Sequence, residues 1–112
     1  MIELPPNATM ADFQTYVHEL EALHGWLDVD LVHNCFRMGE EGGELFKAVR
    51  CVNEQSEPPT GPADVTAKRL EDVSEEIVDV LNYLLAIANR LDIDVEAAFR
   101  KKNTRNQSRT WD

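Results

Sequence analysis

The chain has little of what most readily announces a function. Its 112 residues include only two cysteines, Cys35 and Cys51, too few and too far apart for a disulfide framework or a cysteine metal cluster. No basic stretch followed by an apolar run opens the chain, so no secretory leader is expected. The longest apolar stretches, such as residues 84–88, fall far short of a bilayer span. The expectation is therefore a soluble cytoplasmic protein with no membrane partner. Positive charge is scarce as well, with 21 acids against 11 bases and a formal net charge of -10. That balance argues against a protein that grips a nucleic-acid polymer by its backbone. It leaves room for a nucleotide substrate, because a bound metal inverts the local charge. No segment alternates polar and apolar residues as a strand would, and no internal repeat is evident.

What is present is helical periodicity. Residues 1–8, with Pro5-Pro6-Asn7, read as an irregular lead-in. A first helix is expected to start near Thr9 or Ala11, to carry Phe13, Val17, Leu20 and Leu23, and to end at Gly25 or just before it. Asp28 or Asp30 is the expected N-cap of a long second helix, with Leu31, Cys35, Met38, Leu45, Val49 and Val52 on one stripe. Gly39, Gly42 and Gly43 interrupt this helix, each at a cost of about 1 kcal/mol relative to Ala. They mark a close approach of another backbone, a bend, a weak helix or a break. Residues 53–64 contain Pro58-Pro59-Thr60-Gly61-Pro62 and read as a loop. A third helix begins after Asp64 and runs to about Leu91, with Leu70, Val73, Ile77, Val80, Leu81, Leu84, Ile87 or Ala88, and Leu91 in its stripe. Asp94 is the expected N-cap of a fourth helix holding Val95, Ala98, Phe99 and Lys102, which either continues into the 104–112 tail or frays there. The predicted architecture is one all-α domain over 1–112, a four-helix antiparallel bundle-like assembly. Its core is modest at this length, so further burial between subunits is expected.

Two acidic motifs lie within these helices, Glu40-Glu41-Gly42-Gly43-Glu44 and Glu75-Glu76-Ile77-Val78-Asp79. Residues three apart share a helix face, so Glu41 pairs with Glu44 and Glu76 with Asp79. Asp72, Glu76, Asp79 and Tyr83 form one line beside the third helix's apolar stripe, and Arg37, Glu41, Glu44 and Ala48 form another beside the second's. If the two helices face each other, four carboxylates meet in one cleft. There they repel and are pushed toward protonation unless a cation compensates them. An all-oxygen shell suits Mg2+ or Mn2+ rather than Zn2+. A di-iron bundle would need Glu-x-x-His motifs, whereas Glu44 and Asp79 stand at those places, and His18, His24 and His33 are not arranged to supply them. The alternative is a set of solvated acids on amphipathic helices.

Five of the 11 bases, Arg100, Lys101, Lys102, Arg105 and Arg109, fall within ten positions. They form either a solvated helix end that complements the dipole or an anion site. Lys102, Asn106 and Arg109 share a face if the last helix persists that far. Trp26 either anchors the connection between helices or, like Trp111, stacks a base. His18 and His24 read as half-buried interface groups.

In order and context the acidic motifs resemble those of the MazG-like family of all-α nucleoside triphosphate pyrophosphohydrolases. The resemblance covers about residues 30–111. It includes Glu40-Glu41-x-x-Glu44 with the glycine before its third Glu, then Glu76-x-x-Asp79 followed by Tyr83, the Leu-Asp-Ile-Asp connection at 91–94, and Lys102-x-x-x-Asn106-x-x-Arg109. It implies hydrolysis between the α- and β-phosphates of a nucleoside triphosphate, giving the monophosphate and pyrophosphate. Carried over, Glu41, Glu44, Glu76 and Asp79 hold Mg2+ (Mn2+ also suits), and Glu40 orients or deprotonates the attacking water. Glu40 does so although its side chain leaves a regular helix about 100° from that of Glu41. Lys102 and Arg109 contact phosphate, with Lys101 and Arg105 behind them. Asn106 contacts sugar or base, and Tyr83 lines the nucleotide pocket. The resemblance also implies a homodimer or homotetramer. Two departures from the family pattern stand out: a longer insert between the motifs, and Gly42 where an apolar residue is usual. Competing functions are a non-enzymatic acidic helical module that binds a basic partner, and a metal-dependent phosphohydrolase for another phosphoanhydride.

Overall fold

The computed structural model describes residues 1–53 and 64–110. They form four helices, α1 (Met10–His24), α2 (Leu31–Asn53), α3 (Asp64–Arg90) and α4 (Val95–Gln107), with no strand among the described residues. The Pro/Gly-rich insert expected to form a loop, and Trp111, lie outside the described residues. None of the helices is long and apolar enough to cross a membrane. Contacts gather into two compact units, one made of residues 1–31 with 85–112, the other of residues 32–84.

In the first unit, α1 begins with a capping box. The Thr9 hydroxyl accepts from the Asp12 N–H at 3.2 Å and the Asp12 carboxylate accepts from the Thr9 N–H at 2.8 Å, satisfying donors that a helix start leaves open. At its end Gly25 takes the left-handed conformation, φ 73°. The Trp26 N–H then reaches back to the Glu21 carbonyl at 2.8 Å and the Gly25 N–H to that of Ala22 at 3.2 Å, a Schellman closure. This turn presents the Trp26 carbonyl to Arg90 at 2.9 Å. The same guanidinium donates to the Val29 carbonyl and lies 3.4 Å from the buried Glu21 carboxylate. One cation thus holds the end of α1 and the α1–α2 connection to the last turn of α3.

Gln14 performs the matching task at the other side of α1. Its amide donates to Asn89 Oδ1 and the Ile93 carbonyl and accepts from the Val95 N–H, while Asn89 donates back to the Gln14 carbonyl. Beneath these bonds lies a small apolar core of Val17, Leu85 and Ala86, flanked by Met10 and Val95. Asp94 caps α4 by accepting from the Ala97 N–H at 3.0 Å.

The second unit is a helical hairpin of α2 and the 64–84 part of α3. Its helices are those the periodicity predicts, but the stripes are not a buried core within the single chain. No apolar side chain of this unit is fully buried among the described residues, and of the stripe residues Val49, Leu70, Ile77 and Leu84 are 47, 53, 51 and 47 % exposed, as are Phe36, Phe46 and Val78 off the stripes at 68, 77 and 51 %. Two helices facing each other cover only one side of each stripe, and these apolar arcs are wider than one neighbour can shield.

The α2 glycines correct another expectation. The helix runs unbroken through Gly39, Gly42 and Gly43, and a Cβ built at any of them would meet nothing within 4 Å. They mark neither a break nor a close approach inside the chain; they only weaken the helix. Gly39→Ala is accordingly expected to stabilise the protein by about 0.5–1 kcal/mol, read as a higher chemical-denaturation midpoint. A lower midpoint would place another backbone against Gly39.

Candidate metal centre

The carboxylate motifs occupy the middle of the hairpin. Glu41 on α2 and Glu76 and Asp79 on α3 each bring one carboxylate oxygen within 4.8 Å of the other two. Next to them Glu44, Lys47, Ala48 and Cys51 of α2 share a groove with Glu76, Asp72 and Arg69 of α3. Advancing along α2 corresponds to retreating along α3, so the helices run antiparallel. The motif spacing is what aligns the acids, because three-residue steps keep each pair on the face turned toward the other helix.

The electrostatics at Glu76 are unfavourable without a cation. Its carboxyl is pushed above the usual carboxylate range, first by burial, then by the charges of Glu41 and Asp79, hydrogen bonding to Glu41, and the charge of Glu44. Its Oε2 atom is buried and has no hydrogen-bond partner. Buried polar atoms are rarely left so, and a carboxylate oxygen facing two other carboxylates lacks a donor rather than an acceptor. Three carboxylate oxygens within 4.8 Å of one another are the donor type that a hard divalent cation takes.

The other expected site residues divide by position. Glu44 is exposed and outside the converging three, though it lines the adjoining groove and its charge bears on Glu76. Glu40 is exposed and also outside the three. Tyr83 is half-buried one turn beyond Asp79. Lys102, Asn106, Arg109 and Trp26 belong to the other unit. There Asn106 is half-buried, donates to Asn103 Oδ1 at 3.2 Å, and has its own Oδ1 buried without a partner. Lys102 is exposed on α4. Trp26 stacks on His24 with ring centroids 4.5 Å apart.

Of the two alternatives for the tail, the structure takes the earlier end: α4 stops at Gln107, so Arg109 does not continue the helical face of Lys102 and Asn106. The Ser108 hydroxyl and N–H both donate to the Arg105 carbonyl, drawing it away from continued helical pairing.

Comparison of the chain with protein-family models, with curated proteins and with solved structures finds no match in any of the three. The geometry of the hairpin therefore carries the functional argument. Two groove residues escaped the sequence reading, Lys47 and Arg69. Their signal was available: Lys47 lies three positions after Glu44, and Arg69 three before Asp72 and seven before Glu76, all helical spacings.

The raised Glu76 carboxyl has a definite consequence for stability. A carboxyl that holds its proton more tightly in the folded state stabilises the fold below its unfolded pKa, and that contribution is lost as pH rises through the folded value. Metal-free protein is expected to lose thermal stability as pH climbs from the acid side through and above the carboxylate range. Glu76→Gln should flatten this slope and raise the midpoint at neutral pH. Thermal melts in chelator across pH check both; a lower neutral-pH midpoint for the variant would reject crowding among these acids.

Proposed function

We propose that this chain is a Mg2+-dependent nucleoside triphosphate pyrophosphohydrolase of MazG-like fold, cleaving between the α- and β-phosphates. The observation that supports it best is the convergence of Glu41, Glu76 and Asp79 around a buried Glu76 oxygen with no partner. These three side chains would hold the ion, with Glu44 beside them, and Mn2+ meets the same donor set. When bound, the ion polarises phosphoryl oxygens and lowers the pKa of water.

The protein's own groups then have distinct tasks. Glu41, Glu76 and Asp79 would hold the ion in a fixed place, against which the phosphate chain is oriented. A water oxygen forms a bond to one phosphorus as the bridging α–β oxygen bond breaks, and pyrophosphate departs. Glu40 and Glu44 lie outside the converging three, and the proton given up by the water passes to one of them. Lys102, Asn106 and Tyr83 are the proposed contacts to phosphate, sugar and base, together with Arg109 and Trp26.

Assembly is part of the proposal. The hairpin leaves Phe36, Phe46, Ile77 and Val78 more than half exposed, an unusual amount of contiguous apolar surface for a monomer. A homodimer or homotetramer accounts for it, and light scattering should return two or four times the chain mass.

The decisive assay is a panel of nucleoside triphosphates with Mg2+, with products separated. Monophosphate and pyrophosphate are expected from at least one substrate; orthophosphate alone, or no turnover, would overturn the reaction. Asp79→Asn should lower kcat/KM about 100-fold or more while leaving the helical circular dichroism intact.

A further inference from the structure

The groove beside the carboxylates is not used by the chemistry described so far. It has a volume of about 170 Å3 and is lined by Glu44, Lys47, Ala48, Cys51, Arg69, Asp72 and Glu76. Glu76 belongs both to this groove and to the converging three, so the two are continuous. Pockets that engulf a whole small-molecule ligand measure roughly 300–1,000 Å3. This one is too small for a nucleoside and suits a short, compact, charged segment.

The charges lining it change along its length. Near Glu76 it is acidic, and farther along each helix contributes a cation, Lys47 from α2 and Arg69 from α3. At a rise of 1.5 Å per residue, Lys47 lies about 9 Å along the axis from Glu41, and Arg69 about 10 Å from Glu76. Long side chains reach back across part of that distance. Of the three acids that line it, Glu76 is committed to the carboxylate cluster, Asp72 is paired with Lys68, and Glu44 stands one turn before Lys47 at the end nearer the cluster. Among the described residues neither Lys47 nor Arg69 has an ion pair or hydrogen bond. Two cations without partners, one on each wall of a small groove that opens from an oxygen-ligand cluster, match a phosphoanhydride tail. A guanidinium pairs with phosphate oxygens through its planar fork, and an ammonium acts as a point charge at the end of a flexible stem.

We propose that this groove receives the terminal phosphates of the substrate and holds the departing pyrophosphate, with Lys47 and Arg69 as its anion-binding residues. The inference rests on the pyrophosphohydrolase reading. It adds a leaving-group site built by the carboxylate hairpin itself, in addition to any contact from α4. Ala48 keeps the groove open, since a larger side chain there would fill it, and Cys51 stands at its far end.

Cys51 is a free, half-buried thiol in the groove, whereas Cys35 is free and exposed elsewhere on α2. The pair supplies a reporter and an internal control. Full-length protein is incubated with Mg2+ and inorganic pyrophosphate, treated with iodoacetamide, and the two cysteine peptides are followed by mass spectrometry. Pyrophosphate is expected to slow alkylation of Cys51 at least about 5-fold and leave Cys35 unchanged. Lys47→Gln and Arg69→Gln are each expected to weaken pyrophosphate binding by calorimetry about 10-fold, the size of one charge-assisted hydrogen bond, and to abolish the protection.

Unprotected Cys51 in the parent protein, or unchanged pyrophosphate affinity in both variants, would overturn the inference. If nucleotides are cleaved to pyrophosphate and the affinities do not change, the leaving-group site falls and the reaction stands. Protection that both variants lose, without turnover of any nucleotide, keeps the site as a phosphoanhydride-binding groove and removes the reaction.

Discussion

Everything in the hairpin depends on how mutual repulsion among three carboxylates is balanced. Glu41, Glu76 and Asp79 meet where α2 and α3 face each other, a place where apolar packing would stabilise the pair of helices far more cheaply. The protein forgoes that packing and leaves Glu76 with a raised proton affinity and an orphaned oxygen. A fold tolerates such an arrangement when binding energy from elsewhere offsets it, and under the proposed function a divalent cation would supply that energy. On that reading the strain and the proposed chemistry share one origin, since the crowding of these acids is also what would hold the ion.

The unit that holds α1 and α4 works by the opposite rule. There two side chains each gather several partners, Arg90 the Trp26 and Val29 carbonyls and Glu21, and Gln14 the groups of Asn89, Ile93 and Val95. Its apolar core is only a few side chains, so these bonds specify which residues meet more than bulk burial does. A hydrogen-bonded unit with satisfied donors and a hairpin with unsatisfied acceptors divide the work between holding shape and binding ligand.

Helix positions were legible in the sequence because their signals are local. Gly25 and Asp94 act on atoms within a few residues, and each does so where the pattern placed it; the start of α1 near Thr9 was read as well, though not the Thr9–Asp12 capping box that makes it. The acidic motifs were legible for the same reason, since three-residue spacing sets a face regardless of the rest of the chain. Burial was not. The stripes of α2 and α3 mark an apolar face without saying what covers it, and in the single chain Val49 and Ile77 remain open. Nor does spacing rank acids that lie on one face: Glu44 has the same periodicity as Glu41, yet sits at the groove rather than in the converging three. That difference depends on the register between two helices separated by an insert, which local spacing cannot encode. Lys47 and Arg69 were missed because a base beside an acid on a helix reads first as a surface pair.

The exposed apolar residues and the acids are not independent features, because they alternate along the same helix. Ile77 and Val78 stand between Glu76 and Asp79. On a regular helix their side chains leave about 100° from those of Glu76 and Asp79, so a subunit that covers them lies beside the acids and removes water from that flank of the carboxylates. Lower local polarity strengthens the repulsion among the acids and, by the same factor, their attraction for a divalent ion. Under the oligomeric reading, assembly of the metal-free protein is opposed by the cluster and assembly of the loaded protein is favoured by it. Linkage makes this reciprocal: if the ion promotes assembly, assembly must tighten the ion by the same free energy. On that reading the acidic motif and the uncovered apolar stripe, which look like two separate deficiencies of the isolated chain, would be relieved by one coupled event.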